Sequence, residues 1–252
     1  MIVLERLTKR YGTFTAVDGI DLQVEKRQIF GLLGPNGAWK TTTLRMIAGI
    51  LKPDGGCVRR GGPDIGRAPM AAKRVMGFVP DRPFVYDKLT GGELLRFTAG
   101  LHGMSGDKVE RRIDEMLELW DLSPWKDQLV ESYSHGMRQK LIISAALIHR
   151  PAVLVVDEPM VGLDPRSAWL LKDLLRSFVE QDGTALISTH TLELAENLCD
   201  RLAVIDRGKV VAQGTMDDLR RQAAADRAGL EEIFLKITRG ATDGDIARAL
   251  AE

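Results

Sequence analysis

The sequence is poor in cysteine and carries no net charge. Its two cysteines, Cys57 and Cys199, lie far apart and lack the spacing of a metal site, so we expect reduced thiols and no disulfide framework. Thirty-five basic residues balance thirty-five acidic residues. A chain without a net positive field is not expected to have nucleic acid as its partner. Disulfide-stapled scaffolds and general nucleic-acid binders are therefore both disfavoured.

Long hydrophobic runs are lacking as well. One of the longest, LIISAALI at 141–148, falls well short of the roughly 20 residues that a membrane-spanning helix needs. The opening stretch, MIVLERLTKRYG, combines a strand-like start with early charges, which is not the pattern of a signal peptide. We therefore expect a cytoplasmic protein that reaches a membrane only peripherally, at the inner face of the cell membrane and through a partner chain.

Short apolar runs alternate with helical patterns along much of the chain. The runs at 152–156 and 184–188 are typical of strands buried on both faces of a parallel sheet, and the runs at 29–33 and 75–80 are predicted strands too. Apolar stripes between these strands predict helices. The stripes consist of Leu44, Ile47, Ala48 and Leu51, and of Leu171, Leu174, Leu175 and Phe178. This order of elements predicts a doubly wound α/β arrangement.

Other segments break that alternation. Residues 87–150 carry an apolar helix face and little strand pattern, which predicts a helical subdomain inserted into the sheet domain. The first sixty residues are expected to form antiparallel strands, and 203–214 a hairpin that turns at 206–208. The predicted organisation is a core at 1–86 and 151–214, the helical subdomain at 87–150, and a C-terminal helical tail at 215–252.

The stretch GPNGAWKTT at 34–42 is close to the phosphate-binding pattern G-x-x-x-x-G-K-[ST]. It follows a predicted strand and opens a predicted helix, so backbone N–H groups would converge on phosphate oxygens. Lys40 would neutralise the β- and γ-phosphates, and the Thr41 hydroxyl would bind Mg²⁺. Because Trp39 replaces the second glycine of the pattern, a glycine-rich turn that binds no ligand is the alternative.

Two carboxylates end the predicted strand of VLVVDEP at 153–159. At the carboxyl end of a buried strand, Asp157 could hold Mg²⁺ through water, and Glu158 could orient and deprotonate an attacking water. An acidic strand end that faces solvent is the alternative interpretation. The following GLDP at 162–165, and a second buried strand that ends at His190, favour the functional interpretation.

Together, these motifs resemble the nucleotide-binding subunit of an ATP-binding cassette (ABC) transporter over nearly the whole chain. The resemblance implies a P-loop NTPase (RecA-like) α/β core with an antiparallel β subdomain and an inserted helical subdomain, and it implies ATP hydrolysis with ATP and Mg²⁺ as ligands. The implied catalytic residues are Lys40, Glu158 and His190, and the implied metal-binding residues are Thr41, Asp157 and Asp81. The implied ATP-binding residues are Tyr11, Gly34, Pro35, Asn36, Gly37, Ala38, Trp39, Lys40, Thr41, Thr42, Asp81, Ser134, Gly136 and Asp164.

The resemblance also implies partners. Tyr11 lies where the family places a ring that stacks on adenine, and His190 matches the histidine that contacts the γ-phosphate. Ser134 and Gly136, in the signature motif, would meet the γ-phosphate held by a second protomer, so a homodimer or pseudo-dimer is expected; Asp164 matches the D-loop aspartate.

The segments YSHGMRQK (133–140) and LEEIFLKIT (230–238) are similar to those of exporters whose permease subunit is of the ABC-2 type. Export through such a separate permease is therefore expected. A soluble ABC ATPase that acts on ribosomes or DNA is a weaker alternative, because the sequence has neither a second cassette nor a long inserted coiled coil.

Three residues depart from the family pattern. His135 replaces the middle signature glycine, and Asp81 replaces a glutamine but can still accept a hydrogen bond from a water. Trp39 is the most serious departure, since glycine there lets the backbone approach the phosphates. The indole must either swing outward or occupy the β-phosphate site, whereas a packing role is disfavoured because loop tips face solvent or ligand. We expect weakened ATP binding, which leaves an impaired or regulatory subunit as the alternative function.

Overall fold

A computed structural model describes residues 1–60, 65–82, 84–224 and 229–238 of the chain. Its strands are β1 (Ile2–Tyr11), β2 (Phe14–Val24), β3 (Gln28–Leu33), β4 (Gly55–Arg60), β5 (Met76–Val79), β6 (Val153–Asp157), β7 (Thr184–Thr189), β8 (Arg201–Asp206) and β9 (Lys209–Gly214). Its α-helices are α1 (Lys40–Ile47), α2 (Pro69–Arg74), α3 (Gly91–Leu101), α4 (Asp107–Leu119), α5 (His135–Leu147), α6 (Pro165–Glu180), α7 (Leu192–Leu198), α8 (Met216–Gln222) and α9 (Leu230–Thr238).

The larger sheet has the strand order β5-β6-β7-β3-β8-β9 within the described residues. All neighbouring pairs are parallel except β8 with β9, which form an antiparallel hairpin. Every residue of β3, β6 and β7 is buried, as expected for central strands that helices cover on both faces. The four predicted strands and the α/β fold class are therefore confirmed.

The smaller sheet is antiparallel and has the order β2-β1-β4. This confirms the expected antiparallel strands for β1, β2 and β4, whereas β3, also within the first sixty residues, pairs in parallel in the larger sheet. The smaller sheet is fastened to the larger sheet at the turn between β8 and β9. There the amide of Asp18 donates to the carbonyl of Gly208 over 2.9 Å, and Lys209 pairs with Asp18 at 3.1 Å. Arg207 and Gly208 both have positive φ, 46° and 78°, as a two-residue hairpin turn of the primed type requires.

The start of α6 was predicted correctly, whereas the end of α1 was not. α6 begins as expected, because Asp164 caps it by accepting a hydrogen bond from the amide of Ser167 and Pro165 occupies its first turn. The prediction for α1 was too long. The helix ends at Ile47 because Gly49 takes a left-handed φ of 69°, so Leu51 lies beyond it.

Residues 87–150 consist mainly of α3, α4 and α5. The predicted apolar face of α4 is confirmed, since Val109, Ile113 and Met116 are all buried. These residues share one hydrophobic cluster with the helices that cover the larger sheet. Because the core is continuous across the proposed boundary, the division at residues 87 and 150 stays a prediction. In the predicted tail, α8 and α9 are found, whereas residues 239–252 lie outside the described part of the chain.

Close approach of α5 to β5 depends on Gly77. A Cβ at this position would collide with the carbonyl oxygen of Ala146 and reach Leu154 at 3.0 Å. We therefore expect Gly77→Ala to lower the free energy of unfolding by about 1–3 kcal/mol through overpacking, as measured by urea denaturation. Gly100 in α3 has open space around it, and Gly100→Ala should instead raise stability by roughly 0.5–1 kcal/mol. Equal effects of the two substitutions would contradict this account of the packing.

Candidate functional site

The carboxyl ends of three neighbouring strands lie side by side in the larger sheet. β3 is paired with β7, and β7 with β6, all in parallel register. The loop 34–39 leaves β3, Glu158 follows β6, and His190 follows β7. In an open parallel sheet, this edge is where ligands bind.

A cavity of about 380 Å³ opens at this edge. It gathers most of the predicted phosphate, metal and catalytic residues. The lining residues are Pro35, Asn36, Gly37, Ala38, Trp39, Lys40, Thr41, Thr42, Asp81, Glu158 and His190.

The loop before α1 presents its backbone to this cavity. Gly37 has φ of 80° and α1 begins at Lys40, so the first amides of the helix point outward without intrahelical acceptors. The Lys40 ammonium donates to the carbonyls of Gly34, at 2.7 Å, and Pro35, at 3.2 Å. Burial lowers the pKa of Lys40, while the charges of Glu158 and Asp157 act to raise it. A cation and a row of backbone donors therefore face the same space.

Asp157 ends β6 next to Glu158 and is almost fully buried, with 1% of its surface exposed. One carboxylate oxygen, Oδ1, accepts a short hydrogen bond from the Ser188 hydroxyl. The other, Oδ2, is buried and has no hydrogen-bond partner among the described residues. Burial raises the pKa of Asp157, although the hydroxyls of Ser188 and Thr41 act to lower it. A buried carboxylate with a spare oxygen beside Thr41 is suited to a divalent cation.

Glu158 adopts a left-handed backbone conformation, with φ of 51°. Its amide donates to both the hydroxyl and the carbonyl oxygen of Ser188, each at 3.2 Å. Its carboxylate lies 2.9 Å from Nδ1 of His190. Ser188 thus holds both acidic residues in place. No sequence pattern indicated a role for it, although it is the penultimate residue of the buried strand β7.

Trp39 occupies the glycine position with a left-handed φ of 71°, which is uncommon for a bulky residue. Its indole lies 5.3 Å from the ring of Phe14 and 6.2 Å from that of Tyr11, measured between centroids. It is half-buried and packs against the hydrophobic cluster under the smaller sheet. The expectation that Trp39 has no packing role was therefore wrong.

Some predicted residues do not line this cavity. Ser134 caps α5 by accepting from the amide of Met137 at 3.3 Å, and Gly136 packs against the carbonyl oxygen of Gly162. Asp164 caps α6, and hydrogen bonds from Ser167 lower its pKa to about 2. Tyr11 is not among the lining residues either; its ring lies 6.2 Å from that of Trp39, which does line the cavity. The signature and D-loop residues therefore lie apart from the phosphate loop in the single chain.

The comparison with known proteins agrees with this geometry. The model of the family described as "ABC transporter" matches residues 17–161. A daunorubicin resistance ATP-binding protein of Streptomyces coeruleorubidus is 39% identical over 90% of this chain and 72% of its own length. The Nod factor export ATP-binding protein I of Ralstonia nicotianae is 42% identical over 87% of this chain and 68% of its own length. The solved structure of an ATP-binding subunit of an ABC transporter aligns with a TM-score of 0.90 at 31% identity, covering 94% of this chain and 99% of that one.

The chain belongs to the ABC transporter family. It is an ATP-binding cassette with the P-loop NTPase fold, and by class it is an ATPase. Family membership favours an ATP-hydrolysing subunit over the impaired or regulatory subunit that Trp39 left open in the sequence.

A buried, ionised carboxylate at Asp157 should lower the free energy of unfolding of this cassette, which can be tested by substitution. Asp157→Asn should raise the free energy of unfolding near neutral pH, in the absence of Mg²⁺, by about 1 kcal/mol, because it removes a poorly solvated charge. The folded-state pKa is raised above 3.8, so the charge is present, and unfavourable, only at higher pH. The gain should therefore shrink as the buffer is made acidic, as measured by urea denaturation.

Asp173→Asn is the matched control, because Asp173 is exposed on α6 and its replacement should have little effect at any pH. If Asp157→Asn had a lower free energy of unfolding near neutral pH than the unaltered chain, burial of the ionised carboxylate would not be destabilising.

Proposed function

We propose that this chain hydrolyses MgATP between two facing copies and thereby powers export through a separate ABC-2-type permease. The observation that carries the proposal is the meeting of three chemistries at the carboxyl ends of β3, β6 and β7. These are the phosphate loop with Lys40, the buried carboxylate of Asp157, and the Glu158–His190 pair at 2.9 Å.

The phosphate chain would lie over the loop that precedes α1. Its oxygens accept hydrogen bonds from the first amides of the helix, where the helix dipole also favours negative charge. Lys40 exchanges its contacts with Gly34 and Pro35 for phosphate oxygens, which strengthens them because both partners are then charged. Asn36, Gly37, Ala38 and Thr42 complete the cradle through their positions in the lining.

Mg²⁺ would be held by the Thr41 hydroxyl, with Asp157 and Asp81 supporting it directly or through water. When bound, it would offset negative charge that accumulates on the phosphates during transfer. The residues fit this ion, because within the described part of the chain a buried oxygen of Asp157 has no hydrogen-bond partner, and Asp81 lines the cavity together with Thr41. The charge of the ion would also relieve the penalty of burying the Asp157 carboxylate.

Hydrolysis would proceed by in-line attack of a water on the γ-phosphorus. A bond forms between the water oxygen and phosphorus, the bond to the β-phosphate oxygen breaks, and ADP leaves. Glu158 takes the proton of the attacking water. His190 holds the Glu158 carboxylate in place and lies at the mouth of the cavity, where it can contact the γ-phosphate.

A second copy would complete the site. Ser134 and Gly136 stand at the N-terminus of α5, and Asp164 at that of α6, but none of them lines the cavity of its own chain. A helix N-terminus is a suitable partner for the γ-phosphate. Two copies facing each other would bring Ser134 and Gly136 of each onto the phosphate loop of the other, with Asp164 at the contact between them.

Export and the membrane partner are supported by the relatives. One is named a resistance ATP-binding protein and another a Nod factor export ATP-binding protein. The helix α9 carries the LEEIFLKIT segment that resembles ABC-2-type exporters. Among the described residues, no helix has the length and apolarity to cross a membrane. The chain would bind a permease at the inner face of the cell membrane, and that permease would select the substrate.

The role of Glu158 gives the sharpest test of this function. Glu158→Gln should reduce ATP hydrolysis by roughly 10²–10⁴-fold, because the amide cannot accept the proton of the attacking water. Binding of ATP should be retained, since the phosphate loop is unchanged. Phosphate release and equilibrium titration would measure the two quantities.

Glu180→Gln, at the exposed end of α6, is the matched control and should hydrolyse ATP at the unaltered rate. Normal turnover by Glu158→Gln would show that the base is assigned to the wrong residue.

A further inference from the structure

A second cavity, of about 450 Å³, lies at the end of α1 that is remote from the phosphate loop. Its walls come from the end of α1 and the turn after it, from β4, and from the segment that leads into α2. Met46, Val58 and Ile65 line it and belong to the hydrophobic cluster under the smaller sheet. Part of the cavity surface is therefore apolar and continuous with the core, and its volume is in the range of small-molecule sites.

Gly49 determines how closely this cavity is bordered by the segment before α2. It has φ of 69°, and a Cβ at this position would collide with Ile65 and lie 3.4 Å from Cε of Lys73. The amide of Ile65 also donates to the carbonyl of Val58 over 2.9 Å, which ties the segment to β4. The aliphatic stem of Lys73 consequently lies beside the end of α1, at the cavity.

The rim of the cavity is positively charged. Lys52 lines the cavity and is exposed, as is Lys73 beside it. The acids near this part of the chain, Asp54 and Glu5, already pair with basic residues of β1 and β4, at 3.2 and 2.8 Å. Among the described residues, no acid lines the cavity and neither lysine has an ion-pair partner. Two unpaired cations therefore stand beside an apolar surface.

We propose that this cavity binds an amphiphile with an anionic head and an aliphatic tail. The tail lies on Met46, Val58 and Ile50, of which Ile50 is 64% exposed and gains from being covered. The head lies at the rim, where the ammonium groups of Lys52 and Lys73 donate charge-assisted hydrogen bonds to it. A free fatty acid and an anionic membrane lipid share this chemistry. The site goes beyond the proposed function, because neither nucleotide nor a second copy takes part in it.

A native thiol can report whether the cavity is occupied. The chain has two cysteines, of which Cys57 lines the cavity and is half-buried. Cys199 is buried, and burial raises the pKa of its thiol to about 12, so it supplies little reactive thiolate near neutral pH. Alkylation by N-ethylmaleimide, an uncharged reagent, therefore occurs mainly at Cys57. A ligand that covers this thiol should slow its alkylation.

The test compares two ligands of equal chain length in the unaltered protein. Alkylation of Cys57, followed by mass spectrometry, is measured at increasing concentrations of sodium decanoate and of 1-decanol. Both should suppress alkylation in a saturable way, and decanoate should bind about fivefold more tightly because only its head is charged. Rates are compared within one protein, so the contact of the thiol with Glu5, at 3.2 Å, affects every sample equally.

Substitution of the two lysines tests the position of the head. Lys52→Gln combined with Lys73→Gln should remove the preference for decanoate, while the affinity for 1-decanol stays unchanged. Lys172→Gln is the control, because Lys172 is exposed on α6 and does not line this cavity. That variant should keep the preference of the unaltered chain.

Vesicles identify the source of the ligand. If vesicles of phosphatidylglycerol slow alkylation and vesicles of phosphatidylcholine do not, the site accepts an anionic membrane lipid; protection by decanoate alone identifies a free acid, and either result supports the site. Absence of protection by both decanoate and phosphatidylglycerol would overturn the proposal. Equal affinities for decanoate and 1-decanol, or a preference that survives in the double variant, would overturn it as well. None of these measurements depends on ATP hydrolysis.

Discussion

The parallel alignment of β6, β7 and β3 is the constraint on which the rest of the site depends. Backbone hydrogen bonding fixes Asp157 opposite Ser188 and Leu33 opposite Thr189, so the loop, the acids and the histidine must emerge at one edge. The hydrogen bond from Ser188 to Asp157 is a direct product of that register. A slip of one residue would turn these side chains to the opposite face of the sheet. Complete burial of the three strands makes such a slip costly, and in this way the hydrophobic core determines the geometry of the polar site.

The site holds unfavourable features that the surrounding fold must stabilise. Asp157 is a buried carboxyl group, Lys40 is buried with its ammonium bonded to carbonyls, and Glu158 and Trp39 both have left-handed backbones. Residues in such conformations typically cost 1–3 kcal/mol each, and they concentrate at functional sites. Bound phosphate and Mg²⁺ would satisfy the same charges and amides. Binding of MgATP should therefore be coupled to the stability of this edge of the sheet.

Much of this arrangement could be predicted from the sequence, because it follows from local patterns. The central strands are continuous apolar runs, and Asp164-Pro165 marks the start of α6. The phosphate loop is recognised by its spacing and by its position between a strand and a helix. Contacts between distant residues could not be predicted in the same way. Ser188 was recognised as part of a strand end, but only the sheet register reveals that it supports both acids. The direction of the Trp39 side chain depends on Phe14, which is remote in sequence, and α1 was predicted too long because Gly49 was not recognised as its end.

In the proposed mechanism, one chain carries only part of a hydrolytic site. An experiment that mixes two inactive variants distinguishes this from a site complete within one chain. Lys40→Ala removes the phosphate-binding cation, whereas Ser134→Asp keeps a good helix cap but would set a negative charge against the γ-phosphate of the facing copy. Each variant alone should be inactive, and mixing them should restore part of the ATPase activity, because a mixed dimer has one site built from the intact Lys40 of one copy and the intact Ser134 of the other. Full activity of Ser134→Asp alone, or a mixture that stays inactive although the two variants form dimers, would contradict the claim.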